Sequence, residues 1–342
     1  MKVAVGLSGG VDSAVTTHLL QEQGYQPIGV YLRMHRVGQE EEAARRAAAE
    51  LNIPFYIKDM TKPFEEQVMR PFAAMYKRGE TPNPCILCNP AVKFRGLLEA
   101  ADALGCEKIA TGHYAVVDEI TGLIARLPHS PKDQSYMLYG LDSACRSRLL
   151  LPLGSMPDKA EVRRQALKKG LSAAGKKDSL DICFLEEGAS HGAFIEQYTG
   201  SAPAPGRIVD PTGKVLGEHK GICHYTVGQR RGLGVASSGR LYVAALDPET
   251  DTVVLGEKEA VMADTVGLRE VVLHAPLPEK GLTAKIRYRD TDTPVAVEQT
   301  QDGVVLHFET PKSAPAPGQS AVLYHQNRVL GGGIIRFALK KV

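Results

Sequence analysis

Residues 2–13 read KVAVGLSGGVDS, and the way this stretch is parsed decides the fold. Lys2 to Leu7 is short, apolar and rich in valine, and it ends where serine and glycine take over, as a buried strand does. Beyond the glycines, Val11, Ala14, Val15 and Leu19 recur at helical spacing, and Gly24 is a natural helix stop. A strand that turns through Ser8, Gly9 and Gly10 into a helix offers an anion its backbone N–H groups and the positive end of the helix. The loop has neither the Gly-Lys-Ser/Thr ending of a Walker A loop nor the glycine pattern of a dinucleotide fold.

The same rhythm continues downstream. IGVYLR (Ile28 to Arg33) predicts a second strand, EEEAARRAAAELN a helix and PFYIKD a third strand. EAADALGCEKIATGHYA adds a helix, the strand Lys108 to Thr111 and a loop starting at Gly112. Strand and helix in alternation predict an α/β domain, a parallel sheet with helices on both faces. Near Ser201 the composition turns rich in Pro and Gly, with a hairpin expected around Asp210-Pro211-Thr212-Gly213. In LTAKIRYRD, Ala284, Ile286 and Tyr288 alternate with Lys285, Arg287 and Arg289, which predicts one strand with three charges on a single face. GVVLHFE, SAVLYH and VLGGGII read as further short strands, so the C-terminal part is predicted to be a small β-barrel. Three domains are expected: 1–193, an α/β domain; 194–263, a mostly β central domain; and 264–342, the barrel.

With Lys+Arg 41 against Asp+Glu 39, the net charge of +2 excludes a polycation, so nucleic acid must be met by local basic patches. Pairs at Arg163-Arg164, Lys168-Lys169, Lys176-Lys177 and Arg230-Arg231 are candidates, although any one such pair is ordinarily a solvated face. The first apolar run is too short for a signal peptide, and none approaches the ~20 residues of a membrane span. A soluble cytoplasmic protein without membrane partners is the expectation. Its six cysteines then sit in a reducing compartment, where the CxxC of TPNPCILCN (Thr81 to Asn89), placed in a turn-rich setting, points to redox, metal or catalytic work. No second CxxC and no finger-spaced histidine pair supports structural zinc. Cys106, Cys145 in an exposed-looking turn, and Cys223 in a strand-like run read as incidental thiols.

SGGVDS matches the pyrophosphate loop (PP-loop) of the ATP pyrophosphatases, the adenine nucleotide alpha hydrolase-like fold. SGGVDS, TPNPCILCN, Lys93-Phe94, ATGHYA, KDQSYML, KKDSLDICF, YTVGQRRGLG, RYRDTD, PGQSAVLY and LGGGII occur in this order. Together, across nearly the whole chain, they resemble the bacterial tRNA-specific 2-thiouridylase family. The resemblance implies ATP-dependent conversion of the wobble uridine (U34) of tRNAs for Lys, Glu and Gln to 2-thiouridine. It implies ATP and Mg²⁺ as cofactors, with Gly6, Leu7, Ser8, Gly9, Gly10, Val11, Asp12, Ser13, Leu32 and Gly112 at the nucleotide; Asp12 would help hold Mg²⁺ and Ser13 would reach a phosphate. Cys88 matches the first catalytic cysteine and Cys183 the persulfide carrier. Asn83, Pro84 and Cys85 match the positions that hold the target base. His113, Lys132, Asp133, Gln134, Arg287, Tyr288 and Gln319 match tRNA-contacting positions. The implied partners are the tRNA anticodon stem-loop and a sulfur donor, either a persulfide carrier protein or cysteine desulfurase, or free sulfide.

The chemistry behind the resemblance is coherent. The C2 oxygen of uracil is a poor leaving group; adenylated, it leaves as AMP when sulfur attacks C2. A persulfide carries that sulfur, and a second thiolate breaks its S–S bond by exchange. Both thiols are expected to have lowered pKa values, with Lys176 and Lys177 supplying positive potential near Cys183. The chain departs from the family pattern at Cys85, where the family has aspartate; the stretch after Leu32 is shorter, and Leu180-Asp181 replaces smaller residues. The departure at Cys85 leaves a second mechanism open: Cys85, Cys88 and Cys183 holding a [4Fe–4S] cluster whose open iron binds hydrosulfide. Two other functions compete. One is a different PP-loop enzyme, such as an amidoligase, that adenylates a small metabolite. The other is a non-catalytic RNA-binding or iron–sulfur carrier protein, which the intact Ser8, Asp12 and Ser13 argue against.

Overall fold

The computed structural model describes the chain except for residues 36–38, 128–131, 177–181, 187, 238, 302 and 341–342. Lys177, Leu180 and Asp181, singled out in the sequence, lie outside the described residues. The chain divides into two compact units: Met1–Val68 with Cys85–Leu180 and Gln326–Leu330, and Met69–Pro84 with Asp181–His325 and Gly331–Val342.

The first unit is built on β1 (Lys2–Gly6), β2 (Gln26–Arg33), β3 (Phe55–Asp59), β4 (Lys108–Ala110) and the short strand Leu149–Leu150. They lie in the order β3-β2-β1-β4-149/150, and every neighbouring pair is parallel. Val3, Ala4 and Val5 are wholly buried, as a central strand covered on both faces requires. Helix α1 (Val11–Glu22) follows β1, and Gly24 behind it adopts φ +81°, the predicted stop. Helix α2 (Gln39–Glu50) contributes Ala44, Ala47 and Ala48 to a core with Leu7, Val15, Leu153, Val162 and Ala166. The strand order reverses between β1 and β4. In such sheets that switch point, at the carboxyl ends of the strands, is where ligands bind.

TPNPCILCN is not the turn-rich segment expected. Pro84–Cys88 is helical and runs on through a π-helical stretch, Asn89–Phe94, into the helix Arg95–Ala103. Pro84 stands at the first helical position, where a missing N–H costs nothing. The wider turn takes up Pro90, which cannot donate to the ladder. Cys145 is also not in an exposed turn: it lies in the helix Ser143–Arg148, capped by Asp142, and is 3% exposed.

The second unit holds a four-stranded sheet and a closed barrel. In the sheet, Gly206–Val209 and Val215–His219 form the expected hairpin, whose turn is tied by Asp210 to the N–H groups of Thr212 and Lys214. Cys223 sits in a 3-10 turn, Ile222–His224, and not in a strand. The barrel strands follow the order 262–273, 303–313, 293–300, 282–285, 320–325 and 328–339, and the last pairs back onto the first. Closure leaves no open edge. The predicted strand over LTAKIRYRD stops at Lys285. Ile286 to Asp290 is a turn because the Asp290 carboxylate accepts the Ile286 N–H at 3.0 Å and is itself held by the buried Lys312 at 2.8 Å. Lys285, Arg287 and Arg289 therefore do not share one strand face. No helix among the described residues is long and apolar enough to cross a membrane.

Candidate functional site

Each predicted nucleotide residue in the first unit comes to the carboxyl ends of β1, β2 and β4. Gly6 ends β1, Leu32 lies in β2 and Gly112 follows β4. Gly9 has φ +73°, and a Cβ there would lie 2.5 Å from the Ala44 backbone nitrogen, so only glycine fits between the loop and α2. A Cβ on Gly112 would come within 2.9 Å of the Asp12 carbonyl carbon, which makes Gly112 the residue that lets β4 close on the loop. Gly10 caps α1 without a side-chain hydrogen bond, leaving the first turn open to an acceptor. Inside the loop the Ser8 N–H donates to Ser13 Oγ at 3.2 Å, and Ser13 Oγ donates to the Gly10 carbonyl at 3.0 Å. Val11 is buried in the core below.

Asp12 is the electrostatic centre. Lys159 Nζ lies 2.6 and 2.5 Å from its two carboxylate oxygens, and the Tyr114 hydroxyl donates to Oδ1 at 2.6 Å. The ammonium also stands over the Tyr114 ring, 5.8 Å from its centroid. Tyr114 is joined in turn to Gln134: its N–H donates to Gln134 Oε1 at 3.0 Å, and the Gln134 N–H donates to its carbonyl at 2.7 Å. Asp133, next along, accepts the Ser135 hydroxyl at 2.8 Å and so fixes the turn that carries Lys132 to Gln134. The predicted phosphate loop and the predicted tRNA segment 132–134 thus form one hydrogen-bonded network. Two of its members, the bridging Tyr114 and the terminal Lys159, were missed in the sequence. Tyr114 stood in the quoted ATGHYA motif, whereas a lone lysine in an amphipathic helix gave no signal.

His113 Nδ1 lies 2.8 Å from the Thr111 hydroxyl, and its ring stacks on Phe94 at 5.6 Å. Burial, reinforced by the nearby Lys93 charge, holds its pKa well below the usual histidine value, so the ring is neutral at pH 7.

Cys85 and Cys88 fall one turn apart on the short helix, Cys85 exposed and Cys88 7% exposed. The Cys88 thiol points to the Met34 sulfur, 3.8 Å away. Burial pushes the Cys88 thiol up from its ordinary value, with Lys93 opposing, which is the reverse of the lowered value expected from sequence.

In the second unit Cys183 is exposed, on a segment anchored by its neighbour Phe184, which packs edge-on to Phe72 at 5.2 Å. Lys176 upstream is exposed. Arg287 and Gln319 make contacts within the protein: Arg287 donates to the carbonyls of Val227 and Ala314, and Gln319 Nε2 donates to the Thr81 carbonyl at 2.9 Å. Tyr288 is half-buried in the Ile286–Asp290 turn. Asn83 is half-buried and Pro84 buried. Among the described residues no three His, Cys, Asp or Glu side chains form a group that could hold a metal ion.

Three family models match in succession: the tRNA methyl transferase HUP domain over 1–187, the tRNA methyl transferase PRC-barrel domain over 192–257 and the aminomethyltransferase beta-barrel domain over 264–335. Curated relatives cover nearly the whole chain. The tRNA-specific 2-thiouridylase MnmA of Syntrophotalea carbinolica is 43% identical, over 97% of this chain and 98% of that protein. Those of Acetivibrio thermocellus, 39% identical over 98% and 99%, and of Chlorobium luteolum, 41% identical over 99% and 97%, carry the same name. A solved 4-thiouridine synthetase–RNA complex with bound ATP is 19% identical at a TM-score of 0.37, covering 54% of this chain and 44% of that one, too loose a likeness to bear on the argument.

Proposed function

The chain belongs to the tRNA-specific 2-thiouridylase family, and on that premise we propose that it exchanges the C2 oxygen of the wobble uridine for sulfur in tRNAs for Lys, Glu and Gln, using ATP. The observation that carries this reading is the path Lys159–Asp12–Tyr114–Gln134, which joins a loop shaped for phosphates to the segment expected to meet RNA. A wobble base lies in a single-stranded loop, so it enters a pocket without melting a helix.

The backbone N–H groups of Ser8 to Ser13 and the open end of α1 take the ATP phosphates. Asp12 has the oxygen ligands a hard cation prefers; bound there, Mg²⁺ would offset phosphate charge. Lys159 then exchanges its carboxylate partner for phosphate oxygens. The O2 atom of uracil attacks the α-phosphorus of ATP, and pyrophosphate leaves. The outer sulfur of a Cys183 persulfide attacks C2, and AMP carries the former O2 away. The Cys88 thiolate attacks the Cys183 sulfur, which frees the thiolated base and leaves a Cys88–Cys183 disulfide for an external thiol reductant to reopen. The chemistry requires these two sulfurs to meet in the productive tRNA complex. On this reading Asn83, Pro84 and Cys85 hold the target base, with the cysteine at 85 in place of the family's carboxylate, and the neutral His113 contacts the tRNA. No step is routed through an iron–sulfur cluster. Sulfur arrives from a persulfide donor protein. The three parts 1–193, 194–263 and 264–342 are kept as functional divisions, supported by the spans of the three family models. The cytoplasm is the proposed location.

The test is thiolation of tRNA in vitro with a persulfide donor or with free sulfide, in wild type and in Cys85→Ala, Cys88→Ala and Cys183→Ala. Loss in the Cys88 and Cys183 variants with the persulfide donor supports the reading. Sulfide-driven activity that needs all three cysteines and chelatable iron supports the cluster instead. A requirement for S-adenosylmethionine, with a methyl group on the product, would replace it with the chemistry that the family-model description names.

A further inference from the structure

Within the second unit, the segment that leads into the CxxC helix is gripped from two sides. The guanidinium of Arg269, on barrel strand 262–273, holds Glu80 in a two-pronged pair, Nη1 to Oε1 at 3.1 Å and Nη2 to Oε2 at 2.8 Å. The Glu80 side chain is 13% exposed, so this is not a solvated surface pair. One residue on, the Thr81 N–H donates to the Pro317 carbonyl at 2.7 Å, and its carbonyl accepts Gln319 Nε2 at 2.9 Å. Gly318 between them has φ +90°, and a Cβ there would lie 2.8 Å from the Thr81 nitrogen, so the loop presses directly on the backbone. That loop is itself pinned to strand 328–339 through Gly318 N–H to the Ile335 carbonyl, 2.9 Å, and Ile335 N–H to the Gln319 carbonyl, 2.7 Å. Arg287 braces its start by donating to the Ala314 carbonyl.

We propose that Arg269, acting through Glu80, is a positioning residue for thiolation: with the 316–319 loop it brackets Thr81 and thereby sets where Asn83 and Pro84 stand at the target base. This inference rests on the proposed thiouridylase reading. A barrel strand and the 316–319 turn, about 190 and 235 positions downstream, hold Glu80 and Thr81, which stand just before Asn83 and Pro84 in the chain. Displacement of a reacting segment by about 1 Å costs on the order of a hundredfold in rate, so such a bracket acts on turnover and not on affinity.

The experiment compares Glu80→Arg, Arg269→Glu and the double exchange E80R/R269E in the full chain. Two readouts are taken: hydrogen exchange of the Thr81 amide, and single-turnover thiolation at saturating ATP and tRNA beside the tRNA Kd. Each single variant is expected to speed Thr81 exchange about tenfold or more and to slow thiolation about tenfold to a hundredfold, with tRNA Kd within about twofold. The double exchange restores both readouts in large part. Wild-type exchange and rate in Arg269→Glu overturn the proposal, as does a loss confined to tRNA affinity, or a double variant no better than the singles. A wild-type chain that makes no 2-thiouridine overturns the enzyme reading and the catalytic role with it; Thr81 exchange, read independently of activity, tells that case from an absent bracket.

Discussion

Lys159 reaches 147 residues back along the chain to set its ammonium 2.6 and 2.5 Å from the two carboxylate oxygens of Asp12, at the mouth of the phosphate loop. The side chains are 14% and 32% exposed, so the pair is largely withdrawn from water. A positive charge held there by a carboxylate is ready to pass to a phosphate when the nucleotide arrives.

Lys159→Met therefore weakens ATP binding and slows thiolation by about tenfold to a hundredfold, the scale of a charged hydrogen bond lost in a site shielded from water. Tyr114→Phe removes a single neutral donor to Asp12 and costs about fivefold or less. Equilibrium nucleotide binding and single-turnover rates measure both. Wild-type ATP affinity in Lys159→Met contradicts the assignment.

Gly9→Ala tests the loop without touching charge. The new methyl meets the Ala44 nitrogen at 2.5 Å, and φ +73° is strained for alanine. The expected destabilisation is about 1–3 kcal/mol, with loss of ATP binding, read by urea unfolding and nucleotide titration. Gly24→Ala, also at positive φ but with nothing within 4 Å, carries only the milder backbone penalty and keeps ATP binding.

The thiols separate by exposure and by pH. Cys85 and Cys183 are exposed and are alkylated fast under native conditions, while Cys88, Cys106, Cys145 and Cys223 are buried and react slowly. Cys88 is pushed up by burial from an ordinary value of 9.0, so its thiolate is scarce at pH 7 and grows as pH rises through and beyond that value. Its alkylation, followed peptide by peptide by mass spectrometry, climbs without a plateau below pH 9. A plateau at or below pH 7 would show a lowered pKa and contradict the protonated resting thiol.

The strand–loop–helix at the N-terminus was legible in the sequence because everything that makes it is local: a valine-rich run, two glycines and a helical repeat that stops at Gly24. The hairpin at Asp210 was legible for the same reason. What was hidden depends on partners far away in sequence. The alternation of LTAKIRYRD is a real pattern, yet Asp290 and the buried Lys312 turn the chain at Ile286. The hydrogen bonds of Arg287 to the Ala314 carbonyl and of Gln319 to the Thr81 carbonyl were likewise invisible in the sequence. Prolines beside Cys85 suggested turns, while Pro84 in fact starts a helix. Lys159 and Arg269 gave no signal, since a single basic residue in an ordinary helix or strand looks the same whether it faces solvent or a carboxylate 147 or 189 positions distant.

The most direct measurement is the fate of the oxygen. A tRNA carrying ¹⁸O at C2 of the wobble uridine is incubated with the protein, ATP and a persulfide donor, and the AMP and the nucleoside are weighed by mass spectrometry. The account predicts one ¹⁸O in each AMP, in step with the 2-thiouridine formed. Unlabelled AMP beside labelled water, or AMP formed without any 2-thiouridine, contradicts it.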